Sequence, residues 1–212
     1  MFIELIDLFR CINVHEDTWL VASLKTVSNR FVMDGTLGCP ICSAKYPITT
    51  GVADFTEGTE LPRRTAGQSA ATLEREELAT RAGAFLNATE PGATVILGGR
   101  WASGAQELSL IAESRVLALN AQSGVEESET VGLLLVGSEI PVAPGSVLGV
   151  ALDASFPAGI LASAVKAVRP GGRIVGPTEI PPPAELAVLA HDENYWVAEK
   201  APEVIKLSRA GR

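Results

Sequence analysis

The sequence predicts a two-part α/β protein, and three observations support this prediction. Residues 1–56 hold all three cysteines and one of the two histidines. A segment without hydrophobic periodicity follows, rich in Thr, Gly and Pro, and it ends near residue 72. Beyond it, short apolar strand patterns alternate with helix patterns, which is typical of a doubly wound parallel sheet.

The composition excludes several classes of protein. Of the 212 residues, 47% are hydrophobic and 20% are charged, which supplies a folded core and excludes a disordered chain. The net charge of -8 argues against general nucleic-acid binding, because polyphosphate attracts cationic surfaces. We find no signal peptide, no transmembrane segment and no disulfide scaffold. The sequence therefore predicts a cytoplasmic protein.

Two pairs of residues in the first part predict a metal site. Cys11 and His15 form C-x3-H, and Cys39 and Cys42 form C-x2-C. Two such pairs, separated by a hairpin, can place four donors tetrahedrally around Zn(II). Because four protein ligands leave no open position, the zinc is expected to be structural.

The segment between the two ligand pairs is compatible with this site. Residues 19–24 and 30–33 read as strands, with a turn near Ser28-Asn29 and a second turn at Asp34-Gly35. Three alternatives stay open for the ligands themselves. Cys11 can be a small core residue, His15 an ordinary surface histidine, and the C-x2-C pair a redox pair.

Residues 35–52, which read GTLGCPICSAKYPITTGV, resemble the second knuckle of the Trm112-like zinc-ribbon family. The opening FIELIDLFRC is similar to the start of that family, a short apolar helix that leads into the first ligand. The resemblance covers residues 1–56 and departs from the family where Cys11 and His15 replace the usual Cys-x2-Cys. It implies a ribbon that docks on methyltransferases and activates them through an apolar surface.

The second part alternates between strands and helices. Its glycine pairs, Gly98-Gly99 and the Gly171-Gly172 of RPGG, read as tight turns. The predicted helices are residues 73–86, 102–113 and 159–168. The predicted strands are residues 93–97, 115–119, 130–136, 147–152, one that starts at 173–175, and 195–199.

Two runs in this part resemble class I S-adenosylmethionine-dependent methyltransferases. They are residues 140–152, IPVAPGSVLGVAL, and residues 160–175, ILASAVKAVRPGGRIV. The resemblance implies a Rossmann-like sheet. The chain then divides into a Trm112-like zinc ribbon (1–56), a linker (57–72) and a methyltransferase-like Rossmann domain (73–212).

The expected cofactor pocket departs from the family pattern. Leu97 stands where an acidic residue is usual, and Trp101 and Ser103 fall where the second and third glycines of the loop are usual. In the family, a carboxylate at the end of the second strand of the sheet binds the ribose hydroxyls. Here Asn120, after the predicted strand 115–119, takes its position. We therefore expect no bound S-adenosylmethionine, with Gly98, Gly99, Trp101 and Asn120 as the vestigial or alternative site.

No catalytic constellation is evident elsewhere in the sequence. His191 is the one histidine of the second part, and it is either a base helped by Asp192 or Glu193 or, as we expect, an exposed loop residue. No nucleophile elbow and no phosphate-binding loop occur. We therefore assign no catalytic residue.

These observations predict a non-catalytic scaffold or accessory subunit that binds other proteins in a heteromeric complex. Peripheral association of that complex with a membrane stays open. The alternative is an active S-adenosylmethionine-dependent methyltransferase with its Trm112-like activator fused in cis. A third reading is a module that senses a small molecule or a nucleic acid.

Overall fold

A computed structural model of the protein describes residues 1–58, 61 and 72–202, so the predicted linker lies almost wholly outside the described residues. Two 3-10 helices lie at Ile3–Leu8 and Gly99–Gly104. The α-helices are α1 (Thr72–Leu86), α2 (Ala105–Ile111) and α3 (Ile160–Ala167). The strands are β1 (Val21–Ser28), β2 (Phe31–Gly38), β3 (Lys45–Thr49), β4 (Val52–Phe55), β5 (Thr94–Gly98), β6 (Arg115–Leu119), β7 (Val131–Val136), β8 (Val147–Ala151), β9 (Val168–Pro177), β10 (Leu186–His191) and β11 (Tyr195–Lys200).

All of these strands join in one sheet, in the order β1-β2-β3-β4-β7-β6-β5-β8-β9-β11-β10. The block from β7 to β9 is parallel, and β11 and β10 are added to it by antiparallel pairing. From β5 the chain builds β6 and β7 on one side and later β8 and β9 on the other. The predicted α/β class with a doubly wound, Rossmann-like sheet is therefore confirmed.

Helices cover both faces of the parallel block. All five residues of β5 are buried, as expected for a strand covered on both faces. On one face, apolar residues of α1 and α2 pack with Leu97 and Ala118. On the other face, α3 packs with Ile96 and Val150. This two-sided covering explains why the central strands read as continuous apolar runs.

The N-terminal part is not separate from this sheet. Strands β1 to β4 form an antiparallel meander, and β4 then pairs in parallel with β7. Ala53 lies beside Leu134, and Phe55 lies beside Val136. The predicted ribbon and the Rossmann-like part therefore share backbone hydrogen bonds along one strand.

Side chains of the N-terminal segment strengthen this junction. The first 3-10 helix places Leu5 against β7, where Gly132 leaves room for it and for Met1. A Cβ atom at Gly132 would lie 3.0 Å from Leu5 Cδ1 and 3.2 Å from Met1 Sδ. The Arg10 amide also donates a hydrogen bond of 3.0 Å to the carbonyl of Pro141. The apolar face of the N-terminal segment is thus covered by the same chain.

The two outer strands, β1 and β10, differ from the buried ones. Every residue of β1 is exposed, and β10 is exposed after its first residue. Each has an irregular register against its neighbour, between Leu24 and Thr26 in β1 and between Val188 and Ala190 in β10.

Some local predictions were wrong. Asp34 and Gly35 lie inside β2 rather than at a turn, because the hairpin continues to Gly38. The RPGG segment lies inside β9, which begins at Val168, directly after α3. Strand β10 was not predicted, since its exposed apolar residues lack the alternation of a half-buried strand. Among the described residues, no helix combines the length and apolar content needed to cross a bilayer.

Replacing Gly132 tests the junction. We expect Gly132→Val to lower the free energy of unfolding by about 1–3 kcal/mol, because its added methyl groups displace Leu5 and Met1. Gly137→Val is the matched control, since a Cβ atom at Gly137 meets nothing within 4 Å. Urea denaturation of both variants measures the difference. Equal stabilities would show that this contact does not hold the N-terminal segment.

Candidate functional site

The four predicted metal ligands come together at one end of the N-terminal part. Cys11 and His15 lie between the first 3-10 helix and β1, and Cys39 and Cys42 lie in the turn between β2 and β3. Their ligand atoms all lie within 4.8 Å of one another. Cys11 Sγ is 3.6 Å from Cys42 Sγ, and Cys39 Sγ is 3.4 Å from His15 Nε2. Tetrahedral zinc with bonds of about 2.0–2.3 Å separates its ligand atoms by roughly 3.5–3.8 Å, so the cluster could hold this ion.

The histidine of the cluster is oriented for metal binding. His15 Nδ1 lies 2.6 Å from the carbonyl oxygen of Glu16, which accepts a hydrogen bond from it. This hydrogen bond raises the pKa of His15 and directs the lone pair of Nε2 toward Cys39. A backbone carbonyl that fixes the tautomer is the usual support of a histidine ligand.

The sulfurs of Cys39 and Cys42 accept hydrogen bonds from neighbouring donors. The Asn13 side chain donates to Cys42 Sγ at 3.4 Å, and the Cys42 amide donates to Cys39 Sγ at 3.5 Å. The Asn13 and Ala44 groups lower the pKa of the Cys42 thiol to about 6. Burial, by contrast, raises the pKa of Cys11 to about 11, although Tyr46 lies 3.3 Å from its sulfur.

The glycine pair lies at the point where the strand order reverses. Gly98 ends β5, and Gly99 has a positive φ of 63°, which favours glycine. Asp153 follows β8, the neighbour of β5, and a Cβ atom at Gly99 would overlap its carboxylate. This carboxylate accepts hydrogen bonds from the Arg100 amide at 2.5 Å and the Ser155 amide at 3.0 Å. Ligands of open α/β sheets bind in the crevice at this position.

Trp101 lies in the apolar core, where it is 1% exposed. Its ring centroid lies 6.2 Å from that of Phe85 on α1 and 4.9 Å from that of Tyr195 at the start of β11. The indole therefore packs in the layer beneath α1. Its Nε1 has no hydrogen-bond partner among the described residues.

Asn120 links two strands. Its backbone has a positive φ of 49°, and its side-chain amide donates to the carbonyl oxygen of Val136 at 3.0 Å. The Val136 amide in turn donates to Asn120 Oδ1 at 2.9 Å. Both polar atoms of this side chain thus hold the ends of β6 and β7 together. Leu97 and Ser103, which stand at the other two positions of the pattern, are both buried.

The structure does not assemble a base around His191. His191 ends β10 and is exposed. Asp192 Oδ1 instead accepts the amides of Asn194 and Tyr195, each at 2.7 Å, and these bonds lower the pKa of Asp192. Asp192 is therefore used to form the turn between β10 and β11.

No protein-family model matches this sequence, and no curated protein matches it. Solved structures do match. One is from the complex between the Haloferax volcanii Trm112 methyltransferase activator and a candidate methyltransferase, with 14% identity, a TM-score of 0.49 and coverage of 66% of this chain and 96% of that chain. A SAM-dependent methyltransferase from Aquifex aeolicus matches with 16% identity, a TM-score of 0.42 and coverage of 61% and 91%.

Other similar structures are longer than this chain. A candidate sarcosine dimethylglycine methyltransferase from Galdieria sulphuraria matches with 15% identity, a TM-score of 0.40 and coverage of 50% of this chain. The match spans 47% of that chain, or about half its length.

These findings contradict our prediction of a non-catalytic scaffold. The similar structures are almost all described as methyltransferases, and none of them supports the prediction of a non-catalytic chain. The prediction had also assumed that Trp101 stands in the cofactor pocket and that no carboxylate is present there. The indole of Trp101 is enclosed in the core, and the carboxylate of Asp153 stands at the glycine turn although β5 and β6 supply none.

Sequence reasoning missed three residues of these sites. Asp153 directly follows a buried strand, and this position could have indicated it once β8 was placed beside β5. Asn13 and Tyr46 contact sulfur atoms only because the chain folds back on itself, and no spacing rule indicated them.

Replacing Asn120 tests its role between the strands. We expect Asn120→Ala to lower the free energy of unfolding by about 1–3 kcal/mol, because two hydrogen bonds to Val136 are lost. Asn87→Ala is the matched control, since Asn87 also has a positive φ, of 52°, and its side chain forms no such pair of bonds. Thermal or urea unfolding measures both. If the two variants lose the same stability, the backbone conformation alone explains the effect.

Proposed function

We propose that the chain is an S-adenosylmethionine-dependent methyltransferase that carries its activating zinc ribbon in cis. The observation that carries this proposal is the meeting of Gly99 and Asp153 at the crevice where the strand order reverses. A glycine turn there allows the backbone to approach a nucleotide-like ligand. The Asp153 carboxylate would supply a negative charge at this turn.

The chemistry of the methyl donor fits these two residues. S-adenosylmethionine carries a positively charged ammonium group and a sulfonium whose methyl group it transfers when bound. Asp153, whose carboxylate fills the space beside Gly99, would hold the ammonium group by a charge-assisted hydrogen bond. To do this, the Asp153 carboxylate would give up its hydrogen bond with the Arg100 amide.

The ribbon would support the methyltransferase part through the junction. Strand β4 extends the sheet beside β7, and β7 is tied to β6 by Asn120. The end of β6 lies next to β5 and its glycine turn. In the resembled family the apolar surface of the ribbon docks on a separate methyltransferase. Here the corresponding surface is covered by the chain's own second half, so the partner of the ribbon is intramolecular in our proposal.

The metal would stabilise the fold of the ribbon. Small domains of this kind commonly depend on a structural zinc. Zinc on Cys11, His15, Cys39 and Cys42 would fix the segment that leads directly from the junction residues to β1. Its role is to hold this segment, and it takes no part in methyl transfer.

Elemental analysis tests the metal. We expect one zinc per purified chain, and we expect His15→Ala to reduce zinc occupancy because one of four ligands is removed. The matched control is His191→Ala, which alters the other histidine and leaves the cluster intact. Removing the metal with a chelator should lower the melting temperature of the wild type. A wild-type protein that is folded and free of metal would contradict the assignment.

Calorimetric titration tests the cofactor. We expect the wild type to bind S-adenosylmethionine or its demethylated product, and Asp153→Asn to weaken the binding of the donor at least about tenfold through loss of a charge-assisted bond. Asp34→Asn, a change of the same kind in β2, should leave the affinity unchanged. The absence of binding heat in the wild type at millimolar ligand would refute the proposed function.

A further inference from the structure

Among the cysteine sulfurs of the metal cluster, that of Cys11 has a buried phenol as its neighbour. Tyr46 Oη lies 3.3 Å from Cys11 Sγ, and Tyr46 is 1% exposed. The other two sulfurs receive their hydrogen bonds from the turn itself or from the exposed side of the cluster, through Asn13 and the Cys42 amide. Cys11 is therefore the cysteine whose sulfur contacts a side chain of the protein core.

The direction of the hydrogen bond to Cys11 follows from the chemistry of a metal ligand. A cysteine that binds zinc does so as a thiolate, which has no hydrogen and can only accept. In the Tyr46–Cys11 pair the phenol hydroxyl would therefore be the donor and the sulfur the acceptor.

We infer that Tyr46 is a positioning residue for the proposed metal site, where its hydroxyl donates to the Cys11 thiolate and fixes that ligand. The inference rests on the proposed function of the cluster as a zinc site. An O–H donor stabilises a thiolate more than a thiol, because the bond is charge-assisted.

The same side chain joins the metal cluster to the junction. The Tyr46 ring lies 4.7 Å from the Phe55 ring, centroid to centroid, and Phe55 lies 5.6 Å from Phe9. Phe55 belongs to β4, the strand that pairs with β7. A single phenol therefore contacts a metal ligand with its hydroxyl and the shared core with its ring.

Cobalt substitution of the full chain tests this inference. Tetrahedral Co(II) gives thiolate charge-transfer bands that move to longer wavelength when a hydrogen bond to sulfur is lost. We expect Tyr46→Phe to shift these bands to longer wavelength and to weaken Co(II) and Zn(II) binding about tenfold in chelator competition. Tyr195→Phe is the control, since Tyr195 is the other tyrosine and packs against Trp101. Unchanged bands and affinity in Tyr46→Phe would overturn the inference.

A second measurement covers a Tyr46→Phe variant that does not fold. In the Tyr195→Phe background Tyr46 is the one remaining tyrosine, so biosynthetic 3-fluorotyrosine labels it alone. The more acidic fluorophenol is a stronger donor and should move the charge-transfer bands to shorter wavelength. Bands that stay in place would overturn the inference. Failure of the wild type to bind Co(II) at all would instead refute the metal site itself.

Discussion

The parallel pairing of β4 with β7 is the constraint on which the rest of the structure depends. It joins an antiparallel meander of four short strands to a parallel block that is covered by helices. Without this pairing β7 would become an edge strand. This one pairing thus gives a partner strand both to the meander and to the parallel block. Leu5 and Met1 fit over Gly132 in β7 because both parts meet there.

This arrangement brings the metal cluster and the glycine turn into one connected framework. The cluster lies at the end of β2 and contacts the junction through Tyr46 and Phe55. The glycine turn lies two strands beyond β7, and Asn120 ties the intervening strand to β7. The two places are therefore connected through a continuous run of paired strands.

Local features of the chain were predictable because they depend on near neighbours. The apolar run that forms β5 could be read directly from composition. The two predicted ligand pairs, Cys11 with His15 and Cys39 with Cys42, could be read from spacing. Long-range pairings were not predictable in this way. Asp153 reaches Gly99 only because β8 lies beside β5. The residues of the two segments do not indicate that they pair. The same holds for Asn120. From the sequence, its amide stands at the position of a ribose-binding group, whereas in the structure it forms two hydrogen bonds with the backbone of Val136.

The irregular registers of β1 and β10 affect how copies of the chain meet one another. An open sheet presents a row of free amide and carbonyl groups at each margin, and these margins invite pairing with a second molecule. A residue out of register bends and twists a strand so that a straight partner fits poorly. Such irregularities occur in the pairings of both outermost strands, at Leu24/Thr26 and Thr26/Val27 in β1 and at Val188/Ala190 in β10. They disfavour the addition of a further strand at either margin of the sheet.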